Sequence, residues 1–214
     1  AQHPLASDFD QRVVVDYEEP TAPAADVSDT ALAQFFVESL QTLDACAAEP
    51  PFFLWLHARG LAGPWDAPLE LRNSLVEEDD PPPPDTVETP RKLLPEDYDP
   101  DELLGYIQAY TGQVLALDQC LAAVWEQLAA TGRDRDTLCV LASPGGFPLG
   151  EHRRVGFVDG ALYSEQIHAP LMLRFPDAWS RLVRSPHIVA PADLPATLLD
   201  WLAAPALDQT FGRS

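Results

Sequence analysis

Basic residues are scarce in this 214-residue chain: 13 Lys plus Arg stand against 34 Asp plus Glu, for a net charge of −21. A surface this acidic repels phosphate backbones and anionic headgroups, so no nucleic-acid partner is expected. Cysteine is scarce as well. Cys46, Cys120 and Cys139 contain no CxxC pair, which excludes a disulfide framework and a zinc-finger spacing. Long apolar runs are missing. The longest, near Phe52–Leu56 and Leu138–Ala142, fall far short of a membrane span. Residues 1–20 are polar and charged and show no signal peptide. The chain starts at Ala1 rather than Met, which fits removal of a leader or of a longer preceding segment. Nothing here assigns a compartment.

What is present reads as one globular α/β unit. The length supports a single good core, and 46% hydrophobic with 22% charged residues is ordinary for a folded domain. Residues 12–17 (RVVVDY), 52–57 (FFLWLH), 137–142 (TLCVLA) and 170–175 (PLMLRF) have the β-branched, apolar character of strands. Between them lie helical patterns. One starts at Ser28-Asp29 and places Leu32, Phe35, Phe36, Leu40 and Leu43 on one face. A second starts at Asp99-Pro100-Asp101-Glu102 and carries a stripe at Leu103, Ile107, Tyr110, Val114, Leu117, Leu121, Val124 and Leu128, stopping at Gly132. Further helices are expected over 177–184 and 193–203, and a short turn or helix over 162–168. Alternation of strand and helix predicts a mainly parallel sheet with helices on both faces, in a single domain spanning 1–214.

Residues 77–101 break the pattern, with ten acidic residues, two basic ones and seven prolines, including Pro81–Pro84. Such a stretch buries little apolar surface, and proline biases it to polyproline II. It is expected to be an acidic Pro-rich excursion at about 77–100, exposed and poorly ordered in solution. It also offers a surface for a protein partner.

The segment 138–152, LCVLASPGGFPLGEH, runs from a buried strand into a glycine-rich turn, a common mount for chemistry in α/β enzymes. Yet it has no carboxylate, imidazole or amine before Glu151. Five pieces together explain the arrangement: PFFLWLHARGLAGPW (51–65), YTGQVLALDQCLAAVWEQL (110–128), TLCVLASPGGFPLGEH (137–152), LYSEQIHAPLMLRFP (162–176) and DLPATLLDWLA (193–203). In this order and near this spacing they resemble the sulfatase family of the alkaline-phosphatase superfamily, in the C-terminal part of its catalytic domain. The resemblance implies an alkaline-phosphatase/sulfatase-like fold, present in part. It also implies calcium, a formylglycine nucleophile made from a C/S-x-P-S-R motif, and sulfate-ester hydrolysis.

The departures fall on the working positions. The family segment T-S-D-H-G-E-x-L-G-E-H has its cation ligands where Pro144 and Gly145 stand here, and Ca²⁺ requires hard oxygen donors. The Pro-His pair that meets sulfate reads Leu61-Ala62. The expected lysine near Phe157–Asp159 is missing, and so are the C/S-x-P-S-R motif and the early Asp-Asp pair; Cys46 is followed by Ala47-Ala48-Glu49. No catalytic residue, metal ligand or cofactor is therefore expected. His57, Arg59 and His152 remain as candidate substrate-binding residues, each with a structural alternative. His57 at a strand end also suits a histidine bonded to backbone. Glu151-His152 in the family closes the loop. Ser143 would need a base and an orienter within reach to act as a nucleophile. His168 and His187 have no metal-ligand spacing.

Three functional readings follow. The first is a sulfatase-like domain without catalysis, a pseudoenzyme or scaffold for which a small-molecule substrate is not expected. The second is part of an active metal-dependent sulfuric-ester hydrolase whose nucleophile half lies outside this chain. The third is a protein-interaction module using the acidic Pro-rich stretch.

Overall fold

A computed structural model of the chain describes residues 8–157, 160, 162–176, 184–205 and 212–214. Its first helix starts from a double cap. The Asp26 carboxylate accepts from the Ser28 amide ahead of the 3-10 turn Val27–Asp29, and the Thr30 hydroxyl accepts from the Ala33 amide. Helix α1 (Ala31–Ala48) then buries Leu32, Phe36 and Leu43 of the expected face. Helix α2 (Leu69–Asn73) and strand β1 (Arg91–Leu93) follow, and then helix α3 (Pro100–Ala130). The Asp99 carboxylate accepts from the Asp101 amide at 3.0 Å, Pro100 occupies the first turn, and left-handed Gly132 follows the Thr131 cap. Both ends of α3 thus lie where the sequence signals stand.

Of the expected apolar stripe of α3 only Leu128 is buried, and the most buried line runs beside it. Ala109, Gly112, Gln113, Ala116 and Cys120 are buried, while Ile107 and Val114 keep 37% and 38% of their surface exposed. The reason is close approach. A Cβ at Gly112 would lie 2.7 Å from Arg72 Cγ and 3.2 Å from the Arg72 amide nitrogen, so α2 crosses α3 where side chains are short. Farther along, Leu32, Ala33, Phe36 and Cys120 form a cluster flanked by Leu117, Leu121 and Val124.

Strands β2 (Cys139–Ala142) and β3 (Arg154–Gly156), helix α4 (Ser164–Ile167), strand β4 (Leu171–Arg174) and helix α5 (Asp193–Trp201) complete the order. β2 pairs with β4, Cys139 opposite Arg174 and Ala142 opposite Leu171. β1 pairs with β3, Arg91 opposite Gly156. Both ladders are antiparallel, so among the described residues the expected mainly parallel sheet is not found. Segments 12–17 and 52–57, expected as strands, join no ladder. Side chains in and beside them meet at two places. Phe9 stacks on Phe53 with ring centroids 5.9 Å apart, and at the other end Arg59 Nη1 donates to Tyr17 Oη at 2.7 Å. Composition marks a segment able to pair, but a ladder also needs a neighbour at about 4.8 Å in register. The helical pattern over 193–203 predicts Leu194, Leu198, Leu199 and Leu202 on an inward face, but no residue of α5 is buried and Leu202 is 59% exposed. The helix expected over 177–184 lies, except for its last residue, outside the described residues.

The acidic excursion is held at several points. The buried Arg72 guanidinium donates to Pro84 O at 2.6 Å and Thr86 O at 2.9 Å, and Gln108 Nε2 donates to Pro81 O at 3.1 Å. Val87, Pro90 and Leu94 are buried, and residues 91–93 form β1. Proline lacks an amide hydrogen but keeps its carbonyl, so a Pro-rich segment is fastened by donors from elsewhere.

Both Cys120, in a helical pattern, and Cys139, in a strand pattern, read as core residues; Cys120 is buried and Cys139 half-buried, and burial pushes the Cys120 thiol up to about 11. At pH 8 almost none of it is thiolate, the reactive form. Iodoacetamide at pH 8 should therefore label half-buried Cys46 at least about tenfold faster than Cys120. Peptide mass spectrometry over a time course checks this, and equal rates would contradict the packing of α1 on α3.

Candidate functional site

Two regions carry the residues singled out in the sequence. The first lies after residue 57, where the chain leaves the segment beside 12–17. His57 is exposed and lines an open cleft of about 240 Å³ with Val13, Tyr17, Phe35, Arg59 and Gln113. Arg59 shares this cleft, but its guanidinium is engaged. Nη1 donates to Tyr17 Oη and, at 2.9 Å, to Glu19 Oε1. These contacts, the Tyr17 bond first, hold Arg59 more firmly in its charged form. Glu19 neutralises the charge that an anion would seek. Ala62, at the position of the family histidine, ends the 3-10 turn Gly60–Ala62, and its carbonyl accepts from the Thr89 hydroxyl at 3.2 Å. A Cβ at Gly63 would lie 2.1 Å from Thr89 Oγ1, so Thr89 closes this turn from behind.

The second region is the turn after β2. Its backbone lies flat on α4. Gly146 N donates to Gln166 O at 3.2 Å, and the Ser143 hydroxyl donates to Gly145 O at 2.6 Å. A Cβ would lie 3.0 Å from Gln166 O at Gly145 and 2.4 Å from Glu165 O at Gly146. A side chain at Gly146 would have to displace backbone, and one at Gly145 has little room. Ser143 is committed to its own turn, with no histidine among its hydrogen-bond partners. Phe147 turns inward, its ring 5.9 Å from Trp65, 5.8 Å from Tyr110 and 5.4 Å from Phe157. The family segment has a carboxylate at this position; here it is part of an aromatic core.

The same turn explains Glu151 and His152. Glu151 Oε2 accepts from the Leu149 amide at 2.7 Å, a loop-closing role. His152 sits at φ 56 and Arg153 at φ 58, the left-handed region that costs a side-chain-bearing residue energy. His152 stacks on Tyr163, ring centroids 4.0 Å apart and 12° from parallel, with Nε2 3.8 Å from Glu165 Oε2. Arg153 Nη1 donates to Leu94 O at 3.1 Å, which ties this strained step to the end of the acidic excursion.

The structure thus brings His57 and Arg59 to one cleft and places His152 in a separate stack, with no contact between His152 and the other two among those described. The sequence reading missed Tyr17 and Glu19, which occupy Arg59, and Tyr163 and Glu165, which flank His152. A signal existed for the second pair, since Tyr163 lies in the LYSE stretch. For Tyr17 and Glu19 none existed, because their partner is 40 or more residues away. A divalent cation does not fit the turn after β2. Pro144 and Gly145 have no coordinating side chain, and the Ser143 hydroxyl is turned to Gly145 O. Among the described residues, no three His, Cys, Asp or Glu side chains are grouped to hold a metal ion, and no helix is long and apolar enough to cross a membrane.

The sequence profile of the family described as Sulfatase matches residues 2–204. An N-acetylglucosamine-6-O-sulfatase of Bacteroides thetaiotaomicron is 33% identical over 110 residues, 51% of this chain and 19% of that protein. A solved phosphonate monoester hydrolase from Silicibacter pomeroyi superposes with a TM-score of 0.64 at 21% identity, over 88% of this chain and 41% of its own. That likeness is one of fold, an alkaline-phosphatase-like hydrolase fold. The chain spans well under half the length of either relative.

Proposed function

The chain belongs to the sulfatase family, and we propose that it is a sulfatase-like domain that does not turn over sulfate esters and serves as a scaffold or interaction unit. The observation that carries this reading is the turn after β2. Where the family presents metal ligands, this chain has Pro144 and Gly145, and it packs Gly145 and Gly146 against the carbonyls of Gln166 and Glu165. Sulfate-ester hydrolysis needs a nucleophile, a cation to hold the sulfate oxygens, and further positive charge for the transition state. The matched positions Pro144, Gly145 and Ala62 carry no such group, and Arg59 is paired with Glu19. In this reading, 12–17 and 52–57 are the parallel strands of the family sheet. The paired contacts Phe9–Phe53 and Tyr17–Arg59 support that assignment.

Turnover tests the reading directly. The purified chain is assayed against 4-nitrophenyl sulfate and a bis-aryl phosphodiester with Ca²⁺, Mn²⁺ or Zn²⁺, beside a His57→Ala, His152→Ala double variant. The expected result is the same background rate in both. A rate in the parent chain at least about tenfold above the double variant would overturn the proposal, since loss of a catalytic group typically costs that or more.

A further inference from the structure

The ladder of β2 and β4 turns one face toward α3. Antiparallel pairing sets Cys139 opposite Arg174 and Leu141 opposite Met172, and side chains two apart on a strand share a face. On α3, Asp118, Leu121, Ala122 and Trp125 follow the spacing i, i+3, i+4, i+7 and share one stripe. Between the two faces lies an open pocket of about 260 Å³. Short side chains at Ala122 and Cys139 leave the space, and Leu121, Trp125 and Leu141 give it apolar walls.

Arg174 is the one cation among the described residues of the lining. Its guanidinium lies over the Trp125 ring, 5.1 Å from the centroid, which covers a flat face and leaves the N–H edge for an acceptor. Among the described residues that edge is poorly served. Nη2 stands 4.0 Å from Asp134 Oδ2, beyond hydrogen-bond distance, and the buried Nη1 has no hydrogen-bond partner. Burial pushes the neighbouring Cys139 thiol up against the pull of Arg174, so it brings no negative charge at neutral pH. A half-buried cation short of acceptors gains from an anion that completes its hydrogen bonds.

We propose that this pocket binds a small monocarboxylate with an apolar body, the carboxylate on the guanidinium edge of Arg174 and the body against Trp125, Leu121 and Leu141. A carboxylate matches the guanidinium fork with two parallel bonds. Dianions such as phosphate monoesters are disfavoured by Asp118, which lines the same pocket, and by the net charge of −21. The volume lies below the roughly 300–1,000 Å³ of drug-sized sites, so the apolar body is small. The pocket shares no residue with the cleft at His57 or with the turn after β2, so this proposal and the reading on turnover can fail separately.

Octanoate titrated into the isotope-labelled chain tests it, with the Trp125 indole N–H followed by NMR and assigned through Trp125→Phe. Octanol and octylamine carry the same tail without the negative charge. The expected result is saturable octanoate binding at least about tenfold tighter than either, and a loss of about tenfold or more in Arg174→Gln, the size of a charge-assisted pair. Ala122→Phe fills the pocket from an exposed position on α3, keeps Arg174, and is expected to abolish binding. Thermal melts establish that each variant folds. The two substitutions lie on different elements, and the comparison with octanol needs neither. Absence of a saturable shift, octanol binding as tight as octanoate, or unchanged affinity in a folded variant would each overturn the proposal.

Discussion

Replacing Arg72 with methionine is expected to lower the stability of this chain by about 3–5 kcal/mol, the range for removing one member of a buried charged network. Arg72 is 1% exposed. Its guanidinium donates Nε to Ala67 O at 3.0 Å, Nη2 to Trp65 O at 2.5 Å, and Nη1 to Pro84 O and Thr86 O. No other donor among the described contacts reaches these four carbonyls; the bonds to Ala67 O and Trp65 O are buried, and a buried acceptor left unpaired costs about 1–3 kcal/mol. Burial lowers the guanidinium pKa, and the charges of Asp66 and Asp85 act against that. Methionine fills a similar volume, so the loss measured is one of hydrogen bonding rather than of a cavity. Arg72→Lys should recover little, because an ammonium cannot span the fork of carbonyls. Urea titration followed by tryptophan fluorescence measures the effect. A loss below about 1 kcal/mol for Arg72→Met would mean that the excursion and the 65–67 turn are held by something else.

The second large effect is expected at Gly156. This residue has φ +81, and a Cβ there would lie 1.8 Å from Pro90 O and 2.6 Å from Pro90 C. Alanine thus cannot be accommodated without separating β1 from β3, since Arg91 opposite Gly156 is the end of that ladder. Gly132 supplies the control. It has φ +71, with nothing within 4 Å of a Cβ. Gly132→Ala should cost only the left-handed strain, about 1–2 kcal/mol. Gly156→Ala should cost about 3 kcal/mol or more, because steric displacement of backbone adds to the same strain. Parallel denaturant titrations compare the two. Equal losses would show that the β1–β3 contact contributes little, and the acidic excursion would then be free at its C-terminal end.

Both predictions concern residues that sequence reading passed over, and the physical reason is the same. Arg72 reads as an ordinary cation in a short helical stretch, because its value lies in four carbonyls that the fold gathers around it. Gly156 reads as a loop glycine until Pro90, 66 positions earlier, is placed against it. The strands expected over 12–17 and 52–57 show the converse. Their composition predicts strands, but pairing is a property of two segments, and among the described residues neither joins a ladder.

What the sequence determined by itself was local or carried by the family pattern. The ends of α3 follow from Asp99, Pro100 and Gly132, whose effects act within one helical turn. Pro144 and Gly145 stand out in the sequence because Ser143, Gly146, Leu149, Gly150, Glu151 and His152 keep the motif around them. Tertiary structure alone decided which face of α3 is buried, since the small line Ala109, Gly112 and Ala116 became the contact face only once α2 crossed it. It decided that Arg59 meets Tyr17 and Glu19. It also decided that a side chain at Gly146 would have no space, because Glu165 O lies 2.4 Å from where its Cβ would be. Each of these depends on distances between residues far apart in the chain, which local propensity does not encode.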